Sequence, residues 1–471
     1  MAEPKRIGIL VVAYNAASTL AKVLDRIPAD FVPRITRVLV SDDASQDETY
    51  LVGLGYKQIH GRRLPIEVLR NAENVGYGGN QKICYEYAIE HDLDIVVLLH
   101  ADGQYAPELL PDIVAPLERG EADAVFGSRM MTRGGARQGG MPVARRIGNK
   151  VLTAIENRLT GLDLSEWHSG YRAYSVAALR DIPFQRNSDY YDFDTEIIIQ
   201  LHEAGKRIAE VPIPTFYGDE ISYVNVVQYG VEIIRDVARY RAHKIGLGRG
   251  DTAFASSPYE PKSGADTATS RMLAWLSGHP AGRTLVIGVT PELLVPELRA
   301  AGHEVTAIVE PARAHAIPDD DPAYDVWDLD AGLPESATGT FDSIVALDAL
   351  GRVRDTGALL RDLRGVLRPD GRLLVSVPNF AHWYPRSRVV TGRWSYDTRG
   401  LLDAGQLRFF TGPEAEQALR DAGFAFRRRE TVGLPLDGET SRALALADGA
   451  GLALRPSLFA YQYLYELTPG A

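Results

Sequence analysis

DIVVLLHADGQY, residues 94–105, holds an apolar run, Ile95 to Leu99, followed at once by His100, Ala101, Asp102, Gly103, Gln104 and Tyr105. A short run of β-branched and Leu residues closed by polar and Gly signals predicts a buried strand. Its C-terminal end then carries Asp102 to the crevice where open α/β sheets bind ligands. Asp is common in any turn after a strand, so one carboxylate decides little. An earlier apolar strand, Arg37 to Val40, ends in a second acidic cluster, SDDASQD at residues 41–47. Two strands ending in carboxylates make a stronger pattern than either alone.

Working outward, Ile7 to Ala13 predicts a strand whose exit is Tyr14, Asn15 and Ala16. Ser18 to Ile27 has helical spacing, with Leu20, Val23, Leu24 and Ile27 on one face. Ile66 to Leu69 predicts a third strand, followed by the Gly-rich loop of NAENVGYGGNQ and a helix from Gln81 to Glu90. Ala124 to Gly127 is another strand, and Arg129 follows it. Strands alternating with helices predict a largely parallel sheet with right-handed crossovers.

Composition narrows the function. At 471 residues the chain should hold two or three domains. Hydrophobic content of 45% and charged content of 24% are those of a globular protein rather than a disordered or fibrous one. A net charge of −11 argues against nucleic-acid binding, which needs clustered Lys and Arg. The single cysteine, Cys84, excludes an internal disulfide and a Cys-rich zinc site, and suits a reducing cytoplasm. No apolar run approaches the roughly 18 residues of a membrane span. The N-terminus, MAEPKRIGILVVAYN, reads straight into a strand rather than as a signal peptide.

VAYNAASTL, SDDASQDET, NVGYGGN and HADGQY, in this order, resemble the inverting family 2 glycosyltransferases of GT-A fold. Gly127-Ser128-Arg129, WHSGYRAYS from Trp167 and AEVPIPTFYGDEISYVN from Ala209 are similar to the dolichyl- and polyprenyl-phosphate mannose synthase branch. The resemblance covers about residues 5–245. It implies a nucleotide-sugar donor held by Ala13, Tyr14, Asn15, Asp42, Asp43, Gly76, Asn80, Ala101 and Asp102. Asp42 and Asp43 would accept from base and ribose donors, or cap a helix N-terminus, or both. The Gly76–Asn80 loop would let backbone approach the ligand.

The same resemblance implies a divalent cation, Mg²⁺ or Mn²⁺, on Asp102 with Gln104 in support, to neutralise the departing diphosphate. The family usually has a second Asp where this chain has His100. Imidazole suits Mn²⁺ better than Mg²⁺, and His100 stands open as metal ligand, phosphate contact or turn filler. Arg129 and Arg145 are candidates to grip an acceptor phosphate, with His168, Ser169 and Arg172 on the same side. Asp194 and Glu196 are conditional catalytic bases, needed only where the acceptor is a hydroxyl. A phosphate acceptor is already an oxyanion. Val224 to Arg241 is amphipathic: a helix packed on the sheet, or one lying at a bilayer surface.

Residues 246–270 are rich in Gly, Ser, Ala and Pro without apolar periodicity and predict a linker. A second α/β pattern follows: strand Thr284–Gly288, helix Glu292–Ala301, strand Glu304–Val309, FDSIVALD, helix Thr356–Leu367, then RPDG and LLVSVPN. LRPDGRLLVSVPNFAHW and LLDAGQLRFFT resemble class I S-adenosylmethionine-dependent methyltransferases, a Rossmann-like fold, over residues 271–471, with AYQYLYEL as the last, antiparallel strand. The family's D-x-G-x-G-x-G loop falls on Val286, Gly288, Thr290 and Glu292, so one glycine remains, and Pro291 removes a backbone donor. Glu310 sits where an acid would hold the cofactor ribose. The usual Glu-His after the FDSI strand is Gly351-Arg352. S-adenosylmethionine on Gly288 and Glu310 is one expectation, and a degenerate domain that binds a partner, a glycan or the first domain is the other.

The sequence therefore predicts an α/β enzyme, cytoplasmic or peripheral at the inner face of the plasma membrane, moving a sugar to polyprenyl phosphate. A glycan hydroxyl in surface polysaccharide assembly is the rival acceptor. The same motifs also admit a bifunctional glycosyl- and methyltransferase, or a non-catalytic nucleotide-sugar scaffold.

Overall fold

The computed structural model describes residues 4–132, 135–214, 226–245, 247, 267–311, 314, 317–318, 321–392, 394, 396–397, 400–436 and 442–470. Most of the expected linker and residues 215–225 of the AEVPIP motif lie outside these. The chain divides into two compact units, one built on Met1–Arg241 and the other on Tyr259–Ala471.

The first unit holds strands β1 (Ile7–Ala13), β2 (Ile35–Asp42), β3 (Ile66–Arg70), β4 (Ile95–His100), β5 (Ala124–Ser128), β6 (Arg172–Ser175) and β7 (Ile208–Pro212). They form one sheet in the order β3-β2-β1-β4-β6-β5-β7. Of these strands only β6 runs antiparallel to its neighbours. Side chains alternate across a strand, so each strand feeds two cores. In β4, Ile95, Val97 and Leu99 pack on one face, and Val96 and Leu98 on the other. Both faces are covered, which explains why these strands read as unbroken apolar runs rather than alternating ones.

Strand order reverses between β1 and β4, a switch point whose crevice lies at the strand C-termini. Register places Ala13 beside Asp42 and Val12 beside His100, so the three strand exits meet at one edge. The Gly-rich stretch departs from expectation. It is not a loop but the first turn of a helix, Gly76–Glu90. The reason is packing: a Cβ at Gly78 would meet Ser188 O at 2.5 Å and Phe193 Cβ at 2.8 Å. These glycines let a helix turn lie against the Ser188–Phe193 segment.

The second unit holds β8 (Arg283–Gly288), β9 (Glu304–Val309), β10 (Tyr324–Val326), β11 (Phe341–Leu347), β12 (Leu367–Pro378), β13 (Phe424–Val432) and β14 (Gln462–Pro469). Their order is β10-β9-β8-β11-β12-β14-β13, with β14 antiparallel to both neighbours. The α/β class, GT-A followed by a Rossmann-like methyltransferase sheet, is as the sequence predicts. Two details differ. RPDG does not break the chain but lies inside β12, where the register against β11 shifts. β13, FAFRRRETV, is not legible as a strand from sequence, because this edge strand carries three consecutive arginines.

Candidate active site

Over the switch point lies a cavity of about 1070 Å³, lined in part by Ala13, Tyr14, Asn15, Asp43, His100, Ala101, Asp102, Arg129, Arg145, His168 and Asp194. Its size is that of a large small-molecule site. The exits of β1 and β2 are stitched together: Asn15 N donates to Ser45 Oγ (2.9 Å), and Gln46 N donates to Asn15 Oδ1 (2.8 Å). Asn15 and Ala44 hold φ of 49° and 53°, a left-handed conformation that Asn tolerates and Ala rarely adopts.

The acidic pair splits. Asp42 is fully buried, accepts the Ser45 hydroxyl, lies 3.5 Å from Arg70, and does not line the cavity. Asp43 does line it. Its carboxylate accepts from Asn71 (2.9 Å), Val75 N (2.9 Å) and Gly76 N (3.1 Å), which caps the Gly76–Glu90 helix from across the fold. Asn80, in the same helix, bonds Ser41 through both amide atoms and reaches the cavity.

Asp102 lies at the β4 exit, with Gln104 N donating to its Oδ1 at 3.0 Å. Among the described residues no group of three or more His, Cys, Asp and Glu is placed to hold a metal. A divalent ion bound by one carboxylate and substrate phosphates is a common Mg²⁺ arrangement, so the donor set fits a cation that arrives with the diphosphate. His100 is turned into the wall: its Nε2 lies 3.4 Å from Tyr77 Oη, and Tyr105 packs edge-on at 5.1 Å. A Cβ at Gly170 would sit 2.5 Å from the ring, so that glycine makes room for it. Burial lowers the His100 pKa against the pull of Asp102 and Asp194. The Tyr77 contact and the Gly170 cradle hold the ring in the cavity wall, and burial favours its neutral form.

Arg129 lines the cavity, but its Nε donates to Glu166 Oε1 at 2.9 Å and its Nη2 to His168 O at 2.9 Å. Glu166, fully buried on its side chain, also accepts Arg129 N (2.6 Å) and Asn149 (2.8 Å). Arg145 is half-buried on the Val143–Thr160 helix and faces the same space. Arg172 and Ser169 stand behind the wall. The Arg172 guanidinium donates to the carbonyls of Trp167 (2.7 Å), Ser169 (2.8 Å) and Asp194 (3.0 Å), tying the WHSGYR segment to the Phe193–Glu203 helix. Its expected contact with an acceptor is corrected to this bracing role.

The two conditional bases also separate. Asp194 reaches the cavity and accepts from Tyr77 Oη (3.0 Å) and Gln81 (3.3 Å). Glu196, two residues on, points away and accepts from Ser188 N. Burial, with Asp236 and Asp192 nearby, pushes its carboxyl up to about 7. Five tyrosines outside the predicted site residues also line the cavity: Tyr77, Tyr105, Tyr190, Tyr191 and Tyr229. Tyr77 lies within the Gly-rich motif, as Glu166 lies beside WHSGYR, so proximity to those motifs could have found them. Tyr229 has no local signal.

In the second unit the expected cofactor residues are engaged within the protein. Gly288 has φ +102°, and a Cβ there would run into Leu347 O, so this glycine serves the end of the parallel pairing of β8 and β11. Glu310 accepts from Arg352 Nε (2.6 Å) and Nη2 (2.8 Å), and Arg352 also reaches Asp403 at 3.3 Å. The space beside Val289 and Thr290 is about 20 Å³, room for a water rather than a nucleoside. These residues do not fit S-adenosylmethionine.

The family model for Glycosyl transferase family 2 matches residues 8–183, and one described as Methyltransferase domain matches residues 263–428. The chain is similar to the undecaprenyl-phosphate mannosyltransferase of Micrococcus luteus, 30% identical over 257 residues that are 52% of this chain and 99% of that protein. It is similar to the UDP-N-acetylglucosamine–dolichyl-phosphate N-acetylglucosaminyltransferase of Methanococcus voltae, 26% identical over 45% of this chain and 86% of that one. A solved glucosyl-3-phosphoglycerate synthase of Mycobacterium tuberculosis aligns at TM-score 0.37 and 20% identity, over 51% of this chain and 80% of its own.

Proposed function

The chain belongs to glycosyl transferase family 2 and is a glycosyltransferase, and from that premise we propose that it transfers a sugar from a nucleotide donor to polyprenyl phosphate with inversion. The observation that carries this reading is the large cavity shared by Asp43 and Asp102 at the strand exits and by Arg145, His168 and Tyr229 on the facing side. It has room for a donor and the head of an acceptor.

In this reading Asp43 and Asn80 hold the nucleoside end, and Asp102 would hold a divalent cation that neutralises charge on the leaving diphosphate. Arg145 orients the acceptor, while Glu166 fixes Arg129 rigidly beside it. An acceptor phosphate oxygen attacks the anomeric carbon as the bond from that carbon to the diphosphate oxygen breaks. No proton need move. A hydroxyl acceptor would need a base, and Asp194 is the carboxylate in place for it. Glu196 is not.

Contact with a bilayer surface agrees with Val143, Ile147 and Val151, exposed in one stripe on the helix whose Arg145, Asn149 and Leu152 line the cavity. Among the described residues no helix is long and apolar enough to cross a membrane.

The test is transfer by the full chain across a panel of nucleotide sugars, with Mg²⁺ or Mn²⁺, with and without a short polyprenyl phosphate. Metal-dependent transfer to the lipid phosphate, reduced on the order of a hundredfold in Asp102→Asn, is the expected result. Tight donor binding without turnover on any donor would instead favour a scaffold.

A further inference from the structure

A line of three side chains runs from the core of the first unit to the cavity wall. Glu156, on the Val143–Thr160 helix, is fully buried, accepts the Thr195 hydroxyl at 2.9 Å, and places Oε2 3.1 Å from His168 Nε2. His168 Nδ1 lies 2.8 Å from the hydroxyl of Tyr229, on the Val226–Lys244 helix, and the two rings meet edge to face at 5.6 Å. His168 and Tyr229 line the cavity and Glu156 does not. A buried carboxylate is costly unless paired, so its place at the inner end of this line needs an explanation.

We propose that Tyr229 is a hydrogen-bond donor to the acceptor phosphate, aimed by His168 and Glu156. The inference rests on a phosphate being the acceptor. The donor count gives the reason. Glu156 Oε2 and His168 Nε2 face each other at 3.1 Å without hydrogen-bond alignment, so the contact holds the ring in place without fixing which ring nitrogen carries the proton. With Nδ1 bare, the ring accepts the Tyr229 proton, drawing it inward and leaving only lone pairs toward the cavity, which repel an anion. With the proton on Nδ1, that N–H donates to the Tyr229 oxygen and frees the phenol proton to point outward. An arriving anion favours that second arrangement, and Glu156, 3.1 Å from Nε2, holds the ring where Nδ1 meets the Tyr229 oxygen. The other charged groups around the line are Arg129, whose Nη2 donates to His168 O, and Arg172 on β6 and Asp194 on the Phe193–Glu203 helix, which act on Tyr229. Glu156 is therefore a positioning residue, and Tyr229 touches the acceptor.

Tyr229→Phe removes one hydrogen bond to a charged group, so the acceptor KM is expected to rise about 10- to 100-fold while the donor KM holds. Glu156→Gln, which keeps an oxygen acceptor but loses the charge, is expected to raise the acceptor KM by a smaller factor in the same direction. An unchanged acceptor KM in Tyr229→Phe overturns the proposal. A binding arm separates it from the assignment of activity: calorimetric titration of the full chain with a short polyprenyl phosphate and with the matching polyprenol. Wild type should prefer the phosphate and Tyr229→Phe should lose that preference. Equal binding of alcohol and phosphate by wild type would overturn both the donor role and the phosphate-acceptor reading. A preference for phosphate retained in Tyr229→Phe would overturn the donor role alone.

Discussion

Neighbouring residues of the same type meet different fates here. Asp42 and Asp43 differ in burial partner, and Asp194 and Glu196 differ in the side of the wall they face. Glu196 gives a measurable consequence. Its folded pKa of about 7 stands above the ordinary carboxyl value of 4.5, so the native state holds a proton the unfolded chain releases. The stability this contributes is full below about pH 4.5 and is lost as pH rises through 7. Glu196→Gln should therefore raise the melting temperature at pH 8, by an amount equivalent to about 1–3 kcal/mol, and change it little at pH 4. Thermal unfolding of both proteins at the two pH values checks this. Transfer activity should survive the change, because Glu196 does not face the cavity. These distinctions are not legible in the sequence, which marks a carboxylate near a helix start without saying which way it points.

Among the elements, the central parallel strands β1, β2, β4, β8, β11 and β12 are legible because burial on two faces leaves a nearly unbroken apolar run. Helix starts and edge strands are less so. Sequence alone places the start of the Gly76–Glu90 helix at Gln81, because glycine is a poor helix former and its value here comes from a partner more than a hundred residues away. Gly78→Ala would drive a Cβ against Ser188 O, Tyr190 O and Phe193 Cβ. It is expected to cost about 1–3 kcal/mol and to weaken donor binding, since Asp43 caps this same helix. Denaturant unfolding and the donor KM read the two effects. The absence of both would mean that the close packing carries no strain. In the second unit Arg352 is the comparable tie. Arg352→Ala leaves Glu310 and Asp403 without their shared cation and should lower stability by about 1–3 kcal/mol, less than a wholly buried pair because all three are partly solvated.

The whole chain joins a glycosyltransferase unit to a methyltransferase-like one whose cofactor residues are used for packing. Calorimetric titration of S-adenosylmethionine into the full chain is expected to give no binding at micromolar concentrations. Micromolar binding would mean that the Gly288 turn opens and that Arg352 releases Glu310. The bifunctional reading needs that opening; the transferase reading does not.

The sequence by itself determined two α/β sheets, their strand C-termini, and the group of carboxylates and arginines from which a site would be drawn. It could do so because strand burial and turn chemistry are written in consecutive residues. The tertiary structure decided which members of that group face the cavity. Arg129 was paired with Glu166, Arg172 became a brace, His100 entered the wall, and Tyr229, 61 positions beyond His168, joined the site. Each outcome depends on a partner brought in from another element, and the direction of a side chain is set by that long-range packing rather than by its neighbours in the chain.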